Sequence, residues 1–106
     1  MTNKNQNNQK IKKSIEVLKK KIIPVLKSYG VIKAGIFGSF ARGENKKKSD
    51  IDILIKINNG TDLLTLIRLR QILQETIKRK VDLVEYETIR KELKDRILND
   101  EITILQ

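Results

Sequence analysis

The chain has 106 residues, a length that suits one small domain with a single hydrophobic core. Its 23 lysine and arginine residues outnumber its 13 acidic residues, so the formal net charge is +10. The lack of cysteine excludes a disulfide framework and thiolate chemistry, and no stretch is apolar and long enough to span a membrane. These properties predict a cytoplasmic protein with residues 11–106 as its single domain.

The N-terminal part of the chain predicts a flexible start followed by an amphipathic helix. Residues 1–10 are polar and lack the apolar stretch of a signal peptide, so we expect them to be disordered or flexible. From about Lys10 to Tyr29, apolar residues recur at steps of three and four, which is helical spacing. Because proline removes an intrahelical hydrogen bond, Pro24 predicts a kink or a break near Ile23.

Most of the positive charge lies in this first third of the chain. Residues 1–33 contain nine lysines and one glutamate, whereas residues 34–106 contain fourteen basic and twelve acidic residues. Five lysines could form a basic helix face for nucleic acid or an acidic partner: Lys12, Lys13, Lys19, Lys20 and Lys27. Since no aromatic platform accompanies them, a solvated lysine face is favoured over nucleic-acid binding.

A strand, a tight turn and a short helix are predicted next. The segment from Val31 to Phe37 is apolar at all but one position and leads directly into Gly38 and Ser39. Glycine lets the backbone approach a ligand closely, and the amide N–H groups of such a turn can contact phosphate. We expect Ser39 to cap a short helix. Arg42 lies close enough to the turn to touch the phosphates, and a surface arginine without that role is the equal alternative. The lysine-rich loop that follows, Lys46–Lys48, could attract an anionic substrate.

The second predicted strand carries two aspartates. Isoleucines occupy every second position of this segment: Ile51, Ile53, Ile55 and Ile57. Asp50 and Asp52 therefore share the opposite face of the strand. Such a pair can hold Mg²⁺ through hard oxygen ligands and leave other positions free for water and substrate phosphates. Ten residues separate Ser39 from Asp50, and the turn and the pair together predict a nucleoside triphosphate site.

A third carboxylate follows on another short strand, Val81–Val84. A helix with apolar residues from Leu63 to Ile77, and with Thr61 or Asp62 as its cap, connects the two strands. If the strands pair, Asp82 projects from the same face as the first two aspartates. Three carboxylates could then hold two metal ions about 3.5–4 Å apart. A strand-edge aspartate that faces water is the equal alternative.

The C-terminal part predicts one more helix and one more strand. The helix is expected from about Thr88 to Asn99, with four apolar residues directed inward: Ile89, Leu93, Ile97 and Leu98. The strand is expected from Ile102 to Leu105. Helices and strands that mix in this way predict an α/β (α+β) domain, a small mixed sheet of about four strands flanked by helices.

The tract from Phe37 to Leu54 resembles a known family motif. Gly-Ser, ten residues and Asp-x-Asp are similar to the motif of minimal nucleotidyltransferases of the DNA polymerase β superfamily, and the likeness covers roughly residues 31–105. The resemblance implies a polymerase β-like fold in which Gly38 and Ser39 hold the triphosphate. It further implies that Asp50, Asp52 and Asp82 bind two Mg²⁺ ions. Asp82 would also help to deprotonate the acceptor.

The length of the chain indicates which members of this superfamily it resembles most. Larger relatives carry an added helical region that receives the acceptor, whereas this chain ends soon after Asp82. It is similar to the nucleotidyltransferase antitoxins encoded beside helical HEPN ribonucleases, which implies transfer of AMP from ATP to a tyrosine of such a toxin. Two alternatives stay open at this point. The chain could neutralise a toxin by binding alone, or it could transfer nucleotides to RNA or a small molecule.

Overall fold

A mixed four-stranded sheet forms the centre of the part of the chain that the computed structural model describes, residues 3–44, 50–58 and 60–106. In chain order the elements are α1 (Asn3–Ser28), β1 (Val31–Phe37), α2 (Gly38–Ala41), β2 (Ile51–Ile57), α3 (Leu63–Ile77), β3 (Val81–Glu85), a 3₁₀ turn (Tyr86–Thr88), α4 (Lys91–Asp100) and β4 (Ile102–Leu105). No helix within these described ranges combines the length and apolarity that crossing a bilayer requires.

The strand order is β3-β2-β1-β4. Strand β1 runs antiparallel to both β2 and β4, whereas β2 and β3 are parallel. A parallel pair needs a long crossover connection, and α3 supplies it between β2 and β3. The α/β fold predicted from the sequence, with a mixed sheet of about four strands, is therefore confirmed.

Helices α1 and α3 bury the apolar residues of one face of the sheet. The isoleucines of β2 that the alternation assigned to this face are almost completely buried: Ile51, Ile53 and Ile55. They pack in one cluster with Ile22 and Leu26 of α1 and with Leu69 and Leu73 of α3. Removing this apolar surface from water is the main stabilising contribution to the fold. The opposite face of the sheet carries the aspartates.

Helix α1 differs from the prediction in its length and continuity. It begins at Asn3, well before the predicted start near Lys10, whereas the expected flexibility of residues 1–10 stays a prediction. It also continues through Pro24 to Ser28, so of the expected kink or break near Ile23 the break is wrong and the kink stays a prediction. Ile22 and Leu26 are completely buried on either side of the proline, and this packing keeps both halves of the helix on the sheet.

The remaining helices confirm some sequence expectations and correct others. The carboxylate of Asp62 accepts a hydrogen bond from the Thr65 N–H at 2.8 Å, so Asp62 is the cap of α3. Ser39 lies inside α2 instead of capping it, because Phe37 occupies the N-cap position. Of the ten residues of α4, all within the described ranges, none is buried. Leu93 is 44% exposed, which contradicts the predicted inward orientation of this side chain.

A hydrogen bond across the second face of the sheet joins the end of β3 to the start of β4. The Tyr86 hydroxyl, just after β3, donates to the carboxylate of Glu101, just before β4. Gly35 of β1 provides the space, since a Cβ atom there would collide with the Glu101 side chain. Burial, together with the hydrogen bond to Glu101, raises the pKa of the Tyr86 hydroxyl. The contact ties down the edge strand that carries Asp82.

Candidate active site

Strand register places two of the predicted site aspartates side by side. Asp52 of β2 is in register with Asp82 of β3, so both side chains leave the same face of the sheet from adjacent strands. Adjacent strands lie about 4.8 Å apart, which brings the two side chains within reach of one ligand. Asp50 is exposed and lies just before β2, two positions ahead of Asp52. The expected pairing of the two aspartate strands is confirmed.

The predicted phosphate turn lies directly against this pair. Phe37 is the register partner of Asp52 on β1, so Gly38 follows at the edge of the carboxylate. A Cβ atom at Gly38 would collide with the Asp52 side-chain oxygen. Its φ of +73° is also a conformation that residues other than glycine adopt only with strain. Position 38 therefore needs glycine both for its backbone conformation and for the close approach of Asp52.

The electrostatic environment of Asp52 is unfavourable for a lone carboxylate. Burial, together with the negative charges of Asp82 and Asp50, raises the pKa of Asp52 to about 6, and only Arg42 opposes this effect. A divalent cation would compensate such a group of like charges. Carboxylate oxygens are also the donors that Mg²⁺ prefers.

The carboxylates do not enclose a metal position by themselves. Within the described ranges, no three acidic, histidine or cysteine side chains converge closely enough to hold one metal ion. Binding of Mg²⁺ by Asp50, Asp52 and Asp82 thus stays a prediction. Their donor chemistry and mutual repulsion fit it.

Arg42 lies just after α2 and is held by two carboxylates. Its Nη1 donates to Asp100 of α4 at 2.6 Å, and its Nε donates to Glu44 at 3.1 Å. These hydrogen bonds raise the pKa of the guanidinium further, so Arg42 is charged at any physiological pH. The expected contact between Arg42 and phosphate stays untested.

Two further predicted contacts with the substrate also remain open. Ser39 is half-buried, and its carbonyl accepts a hydrogen bond from the Glu44 N–H at 2.9 Å. This bond helps to shape the loop that leaves α2. The loop lysines, Lys46–Lys48, lie outside the described residues.

A cavity of about 200 Å³ opens beside the turn, between α4 and the β1–α2 junction. Phe37, Gly38 and Arg42 form one wall, and Leu93, Arg96 and Ile97 of α4 form the other. Sequence reasoning did not single out Arg96, although Leu93 and Ile97 are one helical turn apart and Arg96 lies beside them. Two larger cavities, of about 380 and 560 Å³, flank α1, and the described residues that line them include none of the three site aspartates.

Comparison with known proteins places this geometry among nucleotidyltransferases. Residues 20–106 match the family described as polymerase beta, nucleotidyltransferase. A Methanocaldococcus jannaschii protein named as a candidate protein adenylyltransferase is 48% identical over 92 residues, which are 87% of this chain and 99% of that protein. The protein adenylyltransferase MntA of Thermococcus cleftensis is 33% identical over 76 residues, covering 72% of this chain and 77% of MntA.

A solved structure agrees with these relatives. One chain of a toxin–antitoxin crystal structure with AMP-PNP superposes with a TM-score of 0.73 at 25% identity. The match covers 81% of this chain and 71% of that chain. The superposition therefore includes most of the sheet and helices described above.

Proposed function

Since this chain belongs to the polymerase β nucleotidyltransferase family, we propose that it is an antitoxin that transfers AMP from ATP to a hydroxyl group of a partner toxin. The observation that carries this proposal is the register of Asp52 with Asp82, with Gly38 against the Asp52 carboxylate. It provides carboxylates and a close backbone approach at one edge of the sheet, where a triphosphate and an acceptor can meet.

The relatives support a protein as the acceptor. Two relatives that share 48% and 33% of the aligned residues carry the name protein adenylyltransferase, one of them as a candidate. A structural neighbour is a toxin–antitoxin structure with an ATP analogue. In agreement with the motif resemblance, we propose that the partner is a helical HEPN ribonuclease and that the modified residue is a tyrosine.

The carboxylates define where a metal would be held. Asp50, Asp52 and Asp82 supply the hard oxygen donors, and they repel one another without a cation. When bound there, two Mg²⁺ ions would neutralise charge on the α-phosphate and on the leaving pyrophosphate. The dependence of AMP transfer on Mg²⁺ is measured with the purified protein.

The residues of the chain act on ATP and on the acceptor in distinct ways. Gly38 and Ser39 position the β- and γ-phosphates, so that the α-phosphorus faces the carboxylates. The acceptor oxygen then forms a bond to the α-phosphorus while the bond to the bridging oxygen breaks and pyrophosphate leaves. Asp82, on the edge strand, accepts the hydroxyl proton and later releases it to water. Positioning and charge thus account for most of the catalysis.

To test AMP transfer, the purified protein is incubated with the protein encoded by the neighbouring gene, Mg²⁺ and ATP labelled at the α-phosphate. We expect label on the partner protein, and we expect Asp52→Asn to lower the initial rate roughly a hundredfold or more because it removes a charged oxygen from the centre. Glu75→Gln, at an exposed position of α3, is the matched control and should retain the wild-type rate.

The outcomes separate catalysis from the alternatives. Full transfer by Asp52→Asn would contradict the proposed site. Equal neutralisation of the toxin by the wild-type protein and Asp52→Asn would indicate that binding alone is sufficient. Label on RNA without a protein partner would indicate a different acceptor.

A further inference from the structure

The cavity beside Gly38 has a composition that points to an anionic ligand. Two arginines line it: Arg42, which follows α2, and Arg96 of α4. Among the described residues that line it, Asp100 has the only carboxylate, and that carboxylate already accepts a hydrogen bond from Arg42 at 2.6 Å. The positive charge of Arg96 is thus not offset within the lining.

The volume and the lining of the cavity indicate that it would hold only part of a nucleotide. At about 200 Å³ it is smaller than the roughly 300–1,000 Å³ of sites that enclose whole small molecules. The apolar side chains of Phe37, Leu93 and Ile97 form part of the lining, and apolar surroundings strengthen charge-assisted hydrogen bonds. A guanidinium donates two parallel hydrogen bonds to phosphate oxygens, so paired arginines suit phosphate groups better than a base.

The position of the cavity connects it to the proposed reaction. Gly38 lines the cavity and also lies against the Asp52 carboxylate, so this residue adjoins both the cavity and that carboxylate. A triphosphate whose α-phosphate lies at the carboxylates would extend past Gly38 and place its terminal phosphates between the two arginines. The exposed, amphipathic α4 then has a role that core packing does not explain.

We propose that Arg96 of α4, together with Arg42, binds the β- and γ-phosphates of the nucleoside triphosphate in this cavity. Arg96 is thereby a substrate-binding residue, and α4 forms one wall of the nucleotide site. Asp100 and Glu44 are positioning residues, because they hold the Arg42 guanidinium at the opening. This inference rests on the proposed function in taking a nucleoside triphosphate as the substrate.

Isothermal titration calorimetry in the presence of Mg²⁺ tests this inference with three probes: AMP-PNP, inorganic tripolyphosphate and AMP. For Arg96→Ala we expect a loss of roughly tenfold or more in affinity for AMP-PNP and tripolyphosphate. AMP lacks the β- and γ-phosphates, so its affinity should change less than about twofold. Arg96→Lys keeps the charge but not the paired donors, and it should lose part of the affinity.

Lys94→Ala is the matched control. Lys94 lies on the same helix, is exposed and does not line the cavity, so the substitution removes one positive charge elsewhere on α4. An equal loss in Lys94→Ala would overturn the inference, since net charge alone would then explain the effect. An equal loss for AMP and AMP-PNP, or no loss in Arg96→Ala, would overturn it as well.

Thermal unfolding of each variant checks that it is folded. If Arg96→Ala does not fold, the affinities of Arg96→Lys for the three probes test the inference instead. Failure of the proposed function has a different signature. The wild-type protein would then show Arg96-dependent binding of AMP-PNP without transfer of AMP to a protein.

Discussion

Replacing Asp52 with asparagine should stabilise the metal-free protein while it lowers the rate of transfer roughly a hundredfold or more. The substitution keeps the size of the side chain and removes a charge that lies partly buried beside two other carboxylates. Burial, together with Asp82 and Asp50, raises the pKa of Asp52 from 3.8 to about 6. The charged form is therefore the unfavourable one in the folded protein.

The magnitude follows from this pKa difference. A difference of about two pH units at about 1.4 kcal/mol each sets an upper limit of about 3 kcal/mol. Because Asp52 is partly exposed, screening by solvent reduces the expected gain to about 1 kcal/mol. For a domain of this size, that corresponds to a Tm higher by about 4–8 °C.

The pH dependence provides the sharper test. A carboxyl group with a raised pKa binds its proton more tightly in the folded state, so wild-type stability declines as pH rises from about 4 to about 6. The Tm advantage of Asp52→Asn should therefore be present above pH 6 and vanish below pH 4. Thermal unfolding in EDTA at several pH values from below 4 to above 6 measures this difference in Tm. Asp95→Asn, at an exposed position, is the control. An advantage that is absent at pH 7.5, or that persists below pH 4, would refute the reasoning.

Three further substitutions test the glycine of the site, the hydrophobic core and the cap of α3. Gly38→Ala should lower both the Tm and the transfer rate, because the new Cβ atom would collide with the Asp52 carboxylate and the φ of +73° disfavours alanine. Calorimetry measures the Tm, and the transfer assay measures the rate. An unchanged rate would contradict the contact between position 38 and Asp52. Leu73→Ala should cost about 2–5 kcal/mol in urea unfolding, whereas Leu63→Ala, at a position 72% exposed, should cost far less. Asp62→Ala should cost about 1 kcal/mol in the same measurement through loss of the α3 cap, and no loss would argue against that hydrogen bond.

Local patterns in the sequence predicted most of the secondary structure because each depends on a few neighbouring residues. The alternation over Ile51–Ile57 reflects a strand with one buried face, and the observed β2 has the same bounds. The period of α3 and its cap at Asp62 are equally local. The predicted break at Pro24 was wrong because the burial of Ile22 and Leu26 on either side of the proline outweighs its local preference.

The burial of α4 could not be derived from its own sequence. Its apolar residues repeat with helical spacing, which predicted an inward face, yet Leu93 and Leu98 are 44% and 38% exposed. Helical periodicity indicates that one face is apolar and says nothing about what covers it. Here that face borders a cavity that also includes Gly38 and Arg96.

The sequence by itself determined the residues of the candidate site: the Gly-Ser turn, the spacing to Asp50 and Asp52, and a third aspartate on another strand. These features are recognisable because each needs only particular residue types at short intervals. The tertiary structure alone decided that Asp52 and Asp82 are in register, that Gly38 lies against the Asp52 carboxylate, and that Arg96 and Arg42 line the same cavity. Register and cavity shape depend on how strands and helices pack across long sequence separations, and no local pattern contains that information.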